Sequence, residues 1–392
     1  MLLQYSFDDE AKAGLADGRI TIDADCRESK IAKLYWADSA GVLSDYMKIK
    51  ELELNDGKAT YQMKSGRNIP QTATKLICKM EEDTCETILE FKLPAAKLVK
   101  NEKPNYTFFL LTDIHGAGDY WQNKSNRDAA FADAASFSPT HIIISGDITN
   151  AGQAPQYEKV KEYVDAYFPQ IPVFFTTGNH DHNTYVKDLS ADLKALDDFF
   201  IWQTERNNRL GAKISDVTNC RYDTYFGDFH SIFLNASAPE NKFGLGEDQR
   251  NWMEQKLCES DGNGLPAFVI SHFPVKGKTG LVSLYDQQYF SDNDAVEELL
   301  NRHNCIYVSG HTHYNLDSDD PSVCVGKNAP SYINAGCAVW TQNGYDETGK
   351  DIYIPERCMG QCVEVYDKYL LIRGRDFTNR KFIPRCEFKI EF

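Results

Sequence analysis

The chain has 392 residues, 42% of them hydrophobic, with 22 Phe and 21 Tyr, so it can build a sizeable core and exceeds the usual size of one domain. It carries 42 basic against 58 acidic residues, a formal net charge of -16, with no Lys/Arg-rich run. This balance excludes the basic footprint of a typical nucleic-acid binder and disfavours adhesion to anionic membranes.

The first residues, Met1-Leu2-Leu3-Gln4-Tyr5, lack the basic start and long apolar run of a signal peptide, and no stretch approaches transmembrane length. A cytoplasmic chain is therefore expected in preference to an exported one. Residues 19–25, 30–36, 47–54, 58–63, 75–80 and 87–93 read as short strands separated by turns such as Asn55-Asp56-Gly57. Ile20, Ile22 and Ala24 alternate with polar residues and share one face. The pattern predicts a small all-β sandwich of immunoglobulin or fibronectin type over residues 1–100. It contains no titratable cluster and is expected to be structural or interactive. The 11 cysteines form no CxxC pattern and are expected to be mostly buried, unpaired thiols. Cys78 with Cys85, and Cys358 with Cys362, are the pairs close enough in sequence for a disulfide to depend on geometry alone.

Residues 100–104 read as a linker, and beyond them strands alternate with helical segments. Helices are predicted over 127–137, 156–168, 189–206, 247–258 and 294–303. Between them lie compact apolar runs at 106–111, 141–144, 173–176, 267–270 and 305–308, and strand-like pieces close the chain at 361–366, 369–373 and 386–390. Such alternation predicts an α/β layered domain over residues 105–392.

The residues just after each apolar run carry the chemistry. The runs end in Asp113-Ile114-His115, Gly146-Asp147, Gly178-Asn179-His180-Asp181, His272 and Gly310-His311-Thr312-His313. α/β sheets place their sites at the carboxyl ends of strands, and five such endings are unexpected by chance in a chain with nine histidines. In an extended segment residues two apart point the same way, so Asp113 with His115, and His311 with His313, can face one site. The donors are carboxylate, amide and imidazole without thiolate, a set that suits Mn, Fe, Co or Zn. Seven such side chains are too many for one tetrahedral ion and suit two ions sharing a bridge. Gly146, Gly178 and Gly310 precede ligands, where the backbone must approach the site closely. His141, His230 and His303 are expected to be ordinary histidines, while His182 could line a substrate cleft.

The ordered set Asp-x-His, Gly-Asp, Gly-Asn-His-Asp, His and Gly-His-x-His resembles the calcineurin-like metallophosphoesterase superfamily over roughly residues 105–375. The resemblance implies a four-layer αββα sandwich with a dinuclear centre of divalent or mixed-valence Mn, Fe or Zn ions. It implies that Asp113, His115 and His313 hold one ion, that Asn179, His272 and His311 hold the other, and that Asp147 bridges them. His180 corresponds to the family's non-ligand catalytic histidine, and Asp181 to its orienting partner. Protein Ser/Thr phosphatases carry an arginine after the Gly-Asp segment that is missing from Ile148-Thr149-Asn150-Ala151-Gly152. Purple acid phosphatases carry a metal-binding Tyr where this chain has Asn150. The pattern is closer to bacterial cyclic-nucleotide and glycerophosphodiester phosphodiesterases. It implies hydrolysis of a small phosphoester, diester or monoester. A nuclease and a non-catalytic scaffold on the same fold are the alternatives. Specificity is expected in loops 116–126, 182–188 and 276–288.

Overall fold

The computed structural model describes the chain apart from residues 1, 8–15, 25–30, 39, 42–46, 64–66, 68, 71–72, 82–85, 95–102, 117–122, 183–189, 216, 236–242, 263, 281–289, 319–320, 327–328 and 346–350. The N-terminal region holds β1 (Leu2–Ser6), β2 (Gly18–Asp23), β3 (Ile31–Ala37), β4 (Lys48–Glu53), β5 (Lys58–Met63), β6 (Lys75–Glu81) and β7 (Glu86–Lys92). They form two antiparallel sheets, of order β1-β2-β5 and β4-β3-β6-β7. One face of each strand supplies a core of its own, in which Ile20, Ile22, Leu34, Trp36, Leu76 and Cys78 are buried. The six expected strands are present, and β1 is an addition.

The rest of the chain begins with β8 (Tyr106–Leu111), α1 (Asn123–Ser136), β9 (Ile142–Ser145), α2 (Ala154–Tyr167), β10 (Val173–Thr176) and α3 (Leu193–Arg209). It continues through β11 (Tyr222–Phe226), β12 (Phe229–Phe233), α4 (Gly246–Ser260), β13 (Ala267–Ile270), α5 (Asn293–Leu300) and β14 (Cys305–Ser309). It ends with β15 (Val323–Cys324), β16 (Ser331–Asn334), β17 (Thr341–Tyr345), β18 (Asp351–Ile354), β19 (Met359–Val365), β20 (Tyr369–Asp376) and β21 (Lys381–Glu391). All five expected helices are present. The third starts later than expected, because Asp192 caps it by accepting the Ala195 amide at 3.0 Å.

Two six-stranded sheets result, of order β10-β9-β8-β19-β20-β21 and β11-β12-β13-β14-β16-β15. The strands leading to the site are parallel within each sheet, and β9, β10, β13 and β14 are buried along their whole length. Their near-continuous apolar sequences follow from burial on both faces. In the second sheet the period of two is visible in the packing. Phe268, Ile270, Ile306 and Val308 join the large core shared with the first sheet and α1–α3. Ala267, Val269, Cys305 and Tyr307 face the other way, against Met253 and Leu257 of α4 and Val296 and Leu300 of α5. The layers are thus helices, sheet, sheet, helices, the expected αββα sandwich, with a strand-rich N-terminal region in front. No helix among the described residues is long and apolar enough to cross a membrane. Cys358 and Cys362 are both free thiols, so that expected candidate pair is not joined, whereas Cys85 lies outside the described residues.

Candidate metal centre

The carboxyl ends of β8, β9 and β10 in one sheet and of β13 and β14 in the other meet at one place. Two sets of donor atoms gather there, each within 4.8 Å: Asp113, His115, Asp147 and His313 in one, and Asp147, His272 and His311 in the other. Asp147 belongs to both. Asn179 joins the second set, with its Oδ1 at 3.2 Å from His272 Nε2. In the first set, His313 Nε2 lies 3.1 Å from Asp113 Oδ1 and 3.3 Å from His115 Nε2. Around the Asp147 Oδ2 atom stand His272 Nε2 at 3.4 Å and the Nε2 atoms of His115 and His180 at 3.9 Å. Ligand bonds of about 2.0–2.2 Å place neighbouring donor atoms about 3–3.5 Å apart around a cation, so these separations resemble the edges of coordination polyhedra.

The backbone reaches this arrangement differently from the extended segments expected. Asp113, His115, Asp147, His311 and His313 all have positive φ, between 41° and 69°. The side chains still converge, but through alternating left-handed residues rather than through the pleat of a strand. Such conformations cost on the order of 1–3 kcal/mol each and persist where the surroundings hold them. Here they are held by a continuation of the parallel ladder: Asp113, His115 and Gly116 amides donate to the carbonyls of Gly146, Asp147 and Ile148. Arg127, fully buried, adds bonds from Nη1 to the carbonyls of Ile114 and His115 at 2.9 and 3.0 Å. The glycines fit tightly as expected. A Cβ on Gly146 would collide with the His272 ring, one on Gly178 with the Asp147 carboxylate, and one on Gly310 with Thr112.

Outer hydrogen bonds aim the donors. Asp113 Oδ2 accepts from Thr112 Oγ1 at 2.7 Å and from the His311 amide at 3.0 Å, which turns Oδ1 to the centre, where it accepts no hydrogen bond. His272 Nδ1 donates to the Ser145 carbonyl at 2.7 Å, leaving the Nε2 lone pair free to bind. Asp147 Oδ1 accepts the His180 amide at 2.9 Å.

Burial opposes the charge on Asp113, yet His313 and His272 hold its pKa down at about 2. Asp147, equally buried, is held well below the ordinary carboxylate range by His272 and His180. Burial also disfavours a charged His272, but Asp147 and Asp113 raise it to about 9. His311 is pushed down to about 3, first by burial and then by His272. Without cations the two carboxylates are thus balanced by protons on imidazole. Divalent cations bound there would replace that positive charge and displace protons.

His180 is partly exposed, and its Nδ1 lies 2.8 Å from the Asn150 carbonyl. The expected pairing with Asp181 is not formed. The Asp181 carboxylate instead accepts the amides of Ile148 and Gly178 and both the amide and hydroxyl of Thr149. It ties the Asp147 loop to the Asn179 loop. Burial, with Asp147 nearby, raises it to about 6. The orienting group for His180 is a backbone carbonyl, because the carboxylate next in sequence points into the protein.

The other histidines lie away from the centre. His141 stacks on Phe108 and Phe226, His230 bonds Ser260 and Asp223, and His303 pairs with Asp261. His182 packs its Nε2 at 3.2 Å from Asn235 Oδ1. Most of the loops expected to set specificity, at 117–122, 183–189 and 281–289, lie outside the described residues. Three further neighbours of the centre are unexpected. Arg127 holds the Asp113-His115 loop, Trp340 stacks on His115 with centroids 5.2 Å apart, and Cys337 Sγ lies 3.2 Å from His313 Nδ1. They come from other elements, Cys337 and Trp340 from far along the chain, so sequence spacing carries no signal for them.

A fold of two facing sheets with a polar, metal-ligating cluster at their carboxyl ends defines a metallophosphoesterase-type protein. The family model for calcineurin-like phosphoesterases matches residues 106–315, and the chain belongs to that family. It is 26% identical over 178 residues to a probable glycerophosphodiester phosphodiesterase of Arcobacter nitrofigilis, covering 45% of this chain and 57% of that protein. It is 23% identical over 190 residues to a probable cyclic nucleotide phosphodiesterase of a Synechococcus strain, covering 47% of this chain and 62% of that protein. The chain therefore spans about three fifths of the length of these curated relatives. The structure of a purple acid phosphatase from yellow lupin (Lupinus luteus) seeds superposes with a TM-score of 0.52 and 12% identity, over 97% of this chain and 73% of that one. That match, fold alone, includes the N-terminal sheets. Family membership implies divalent metal at the centre, which agrees with the all-oxygen-and-nitrogen donor set.

Proposed function

We propose that the protein hydrolyses a small phosphodiester at a dinuclear centre of divalent or mixed-valence Mn, Fe or Zn ions. The observation that carries the reading is the pair of donor clusters sharing Asp147. In this reading Asp113, His115 and His313 hold one ion, Asn179, His272 and His311 the other, and Asp147 both. The fit is supported by Asp113 Oδ1, which is buried with His313 Nε2 at 3.1 Å and the Nε2 atoms of His272 and His115 at 3.9 and 4.0 Å. Lone pairs this close need a cation or proton between them. Ions held there would supply an acidified water and neutralise charge on the phosphate oxygens.

The chain's own residues do the rest. His180 donates Nδ1–H to the Asn150 carbonyl, which turns Nε2 to the site side, where a proton carried on it would reach the leaving alkoxide. Asp181 holds the loops of Asp147 and Asn179 in register. The diester is favoured over the monoester by the relatives named for phosphodiesters. A net charge of -16 supports a small substrate over a nucleic acid. The test is turnover of bis-p-nitrophenyl phosphate against p-nitrophenyl phosphate, with Mn²⁺ and with chelator. Chelator-sensitive hydrolysis favouring the diester is expected. No turnover of either after metal loading would overturn the reading, and preference for the monoester would overturn the substrate class.

A further inference from the structure

We propose that Cys337 is the positioning residue for the ion held by Asp113, His115 and His313, acting through hydrogen bonds of its thiol rather than as a ligand. This rests on the two-ion reading above.

Cys337 is fully buried and sits just after Asn334-Ala335-Gly336, where β16 leaves the second sheet. Its Sγ lies 3.2 Å from His313 Nδ1 and 3.7 Å from the Asp113 carbonyl oxygen. A thiol is both a weak donor and a weak acceptor. With S–H donated to Asp113, the sulfur lone pair accepts Nδ1–H of His313. That proton position leaves Nε2 bare, 3.1 Å from Asp113 Oδ1. One atom thus fixes the tautomer and ring angle of one ligand and the backbone of another. Its own place is fixed, since the Cys337 amide and carbonyl both pair with Met359 on β19.

The histidines of the centre differ in this respect. His272, on the other ion, receives the same service from the Ser145 carbonyl at 2.7 Å. His115 receives none, since its Nδ1 is buried without a partner. The first ion therefore depends on His313 for a ligand with a fixed tautomer, and His313 depends on Cys337. Nothing in this role requires the sulfur to touch the metal.

Removing an outer partner of a metal ligand typically costs about 10–100-fold in affinity. Two variants separate hydrogen bonding from packing: Cys337→Ser keeps a donor and acceptor in a smaller side chain, and Cys337→Val keeps the bulk and removes both. The experiment titrates metal-free wild type and both variants with Mn²⁺ by equilibrium dialysis, with thermal melts of the metal-free proteins alongside. Two ions in wild type and in Cys337→Ser, with one of the two weakened about 10–100-fold in Cys337→Val, is the expected result. Wild-type affinity for both ions in Cys337→Val would overturn the role of Cys337. So would equal losses in Ser and Val. Fewer than two ions in the wild type would instead overturn the two-ion reading on which the proposal stands. Should Cys337→Val fail to fold, a Cys337→Ser variant with both ions at wild-type affinity supports the proposal, and one with a weakened ion overturns it.

Discussion

Residues 2–92 and residues 106–392 are both organised by β-sheet, and they handle polarity in different ways. In the first region the strands bury one face and leave the other wet, as the alternation along β1 and β2 shows. Asp17 and Arg67 are its buried charged residues among those described, and its one non-glycine residue with positive φ among them is Asp56, in an Asn-Asp-Gly turn. In the second region β9, β10, β13 and β14 are buried on both faces, and the loops after them and after β8 hold buried Asp113, His115, Asp147, Asn179, Asp181, His272, His311 and His313. Five of these have positive φ. A half-wet sheet core cannot hold several strained, charged loops in one place. Two sheets whose inner strands β9, β10, β13 and β14 are buried on both faces, with helices outside both, can. The difference separates a region that stabilises from one that carries chemistry on rigid supports.

The largest effect that tests this contrast is expected at the residue both donor sets share. Asp147→Asn removes the charge between two cations and leaves His272 without its main counter-charge. Removing one partner from a buried charged set costs about 3–5 kcal/mol, so each ion is expected to bind roughly 10²–10⁴-fold more weakly. Dialysis against Mn²⁺ measures this. A variant that loses one ion and keeps the other unchanged would show that Asp147 serves a single ion.

A comparable but purely kinetic loss is expected for His180→Asn. General acid assistance is worth about 10²–10⁴ in rate, so kcat should fall by that factor with both ions retained. The loss should be small for a p-nitrophenolate leaving group and large for an alkoxide, since the first leaves without a proton. Equal losses on both would assign His180 to phosphate binding, and loss of an ion would make it a ligand.

The smallest effect is expected from the other region. A chain starting at residue 101 lacks every residue of the N-terminal sheets and none of the donors. It is expected to bind Mn²⁺ and to hydrolyse bis-p-nitrophenyl phosphate at close to the full-length rate, with a lower melting temperature. Arg67 is buried and bridges to Phe388 of β21, so the truncation takes away a structural support rather than a part of the centre. A folded truncation without turnover would show that the N-terminal sheets shape the site and that the contrast is drawn in the wrong place.

Much of this is legible in the sequence where one physical signal dominates. Ile142-Ile143-Ile144 and Phe268-Val269-Ile270 read as buried strands because burial on both faces demands unbroken apolar runs. The donors read out because each lies within a few residues of such a run. The hairpin of β11 and β12 does not read out, although Gly227-Asp228 joins them with Phe226 opposite Phe229, because Asp223, Thr224, His230 and Ser231 interrupt the apolar pattern. The extended form expected for Asp113-Ile114-His115 gives way because local sequence does not report that parallel ladder bonds hold left-handed residues there. The resemblance and adjacency pair Asp181 with His180, and hydrogen bonding to the loops of Ile148 and Gly178 outweighs both. Cys337 and Arg127 act on the centre from other elements and become visible once the sheets are assembled.

The central claim is that the two clusters sharing Asp147 hold two ions. Elemental analysis of the full-length protein, purified without chelator and then loaded with Mn²⁺, tests it most directly. Two metal ions per chain is the result this account predicts, and one ion or none after loading would contradict it.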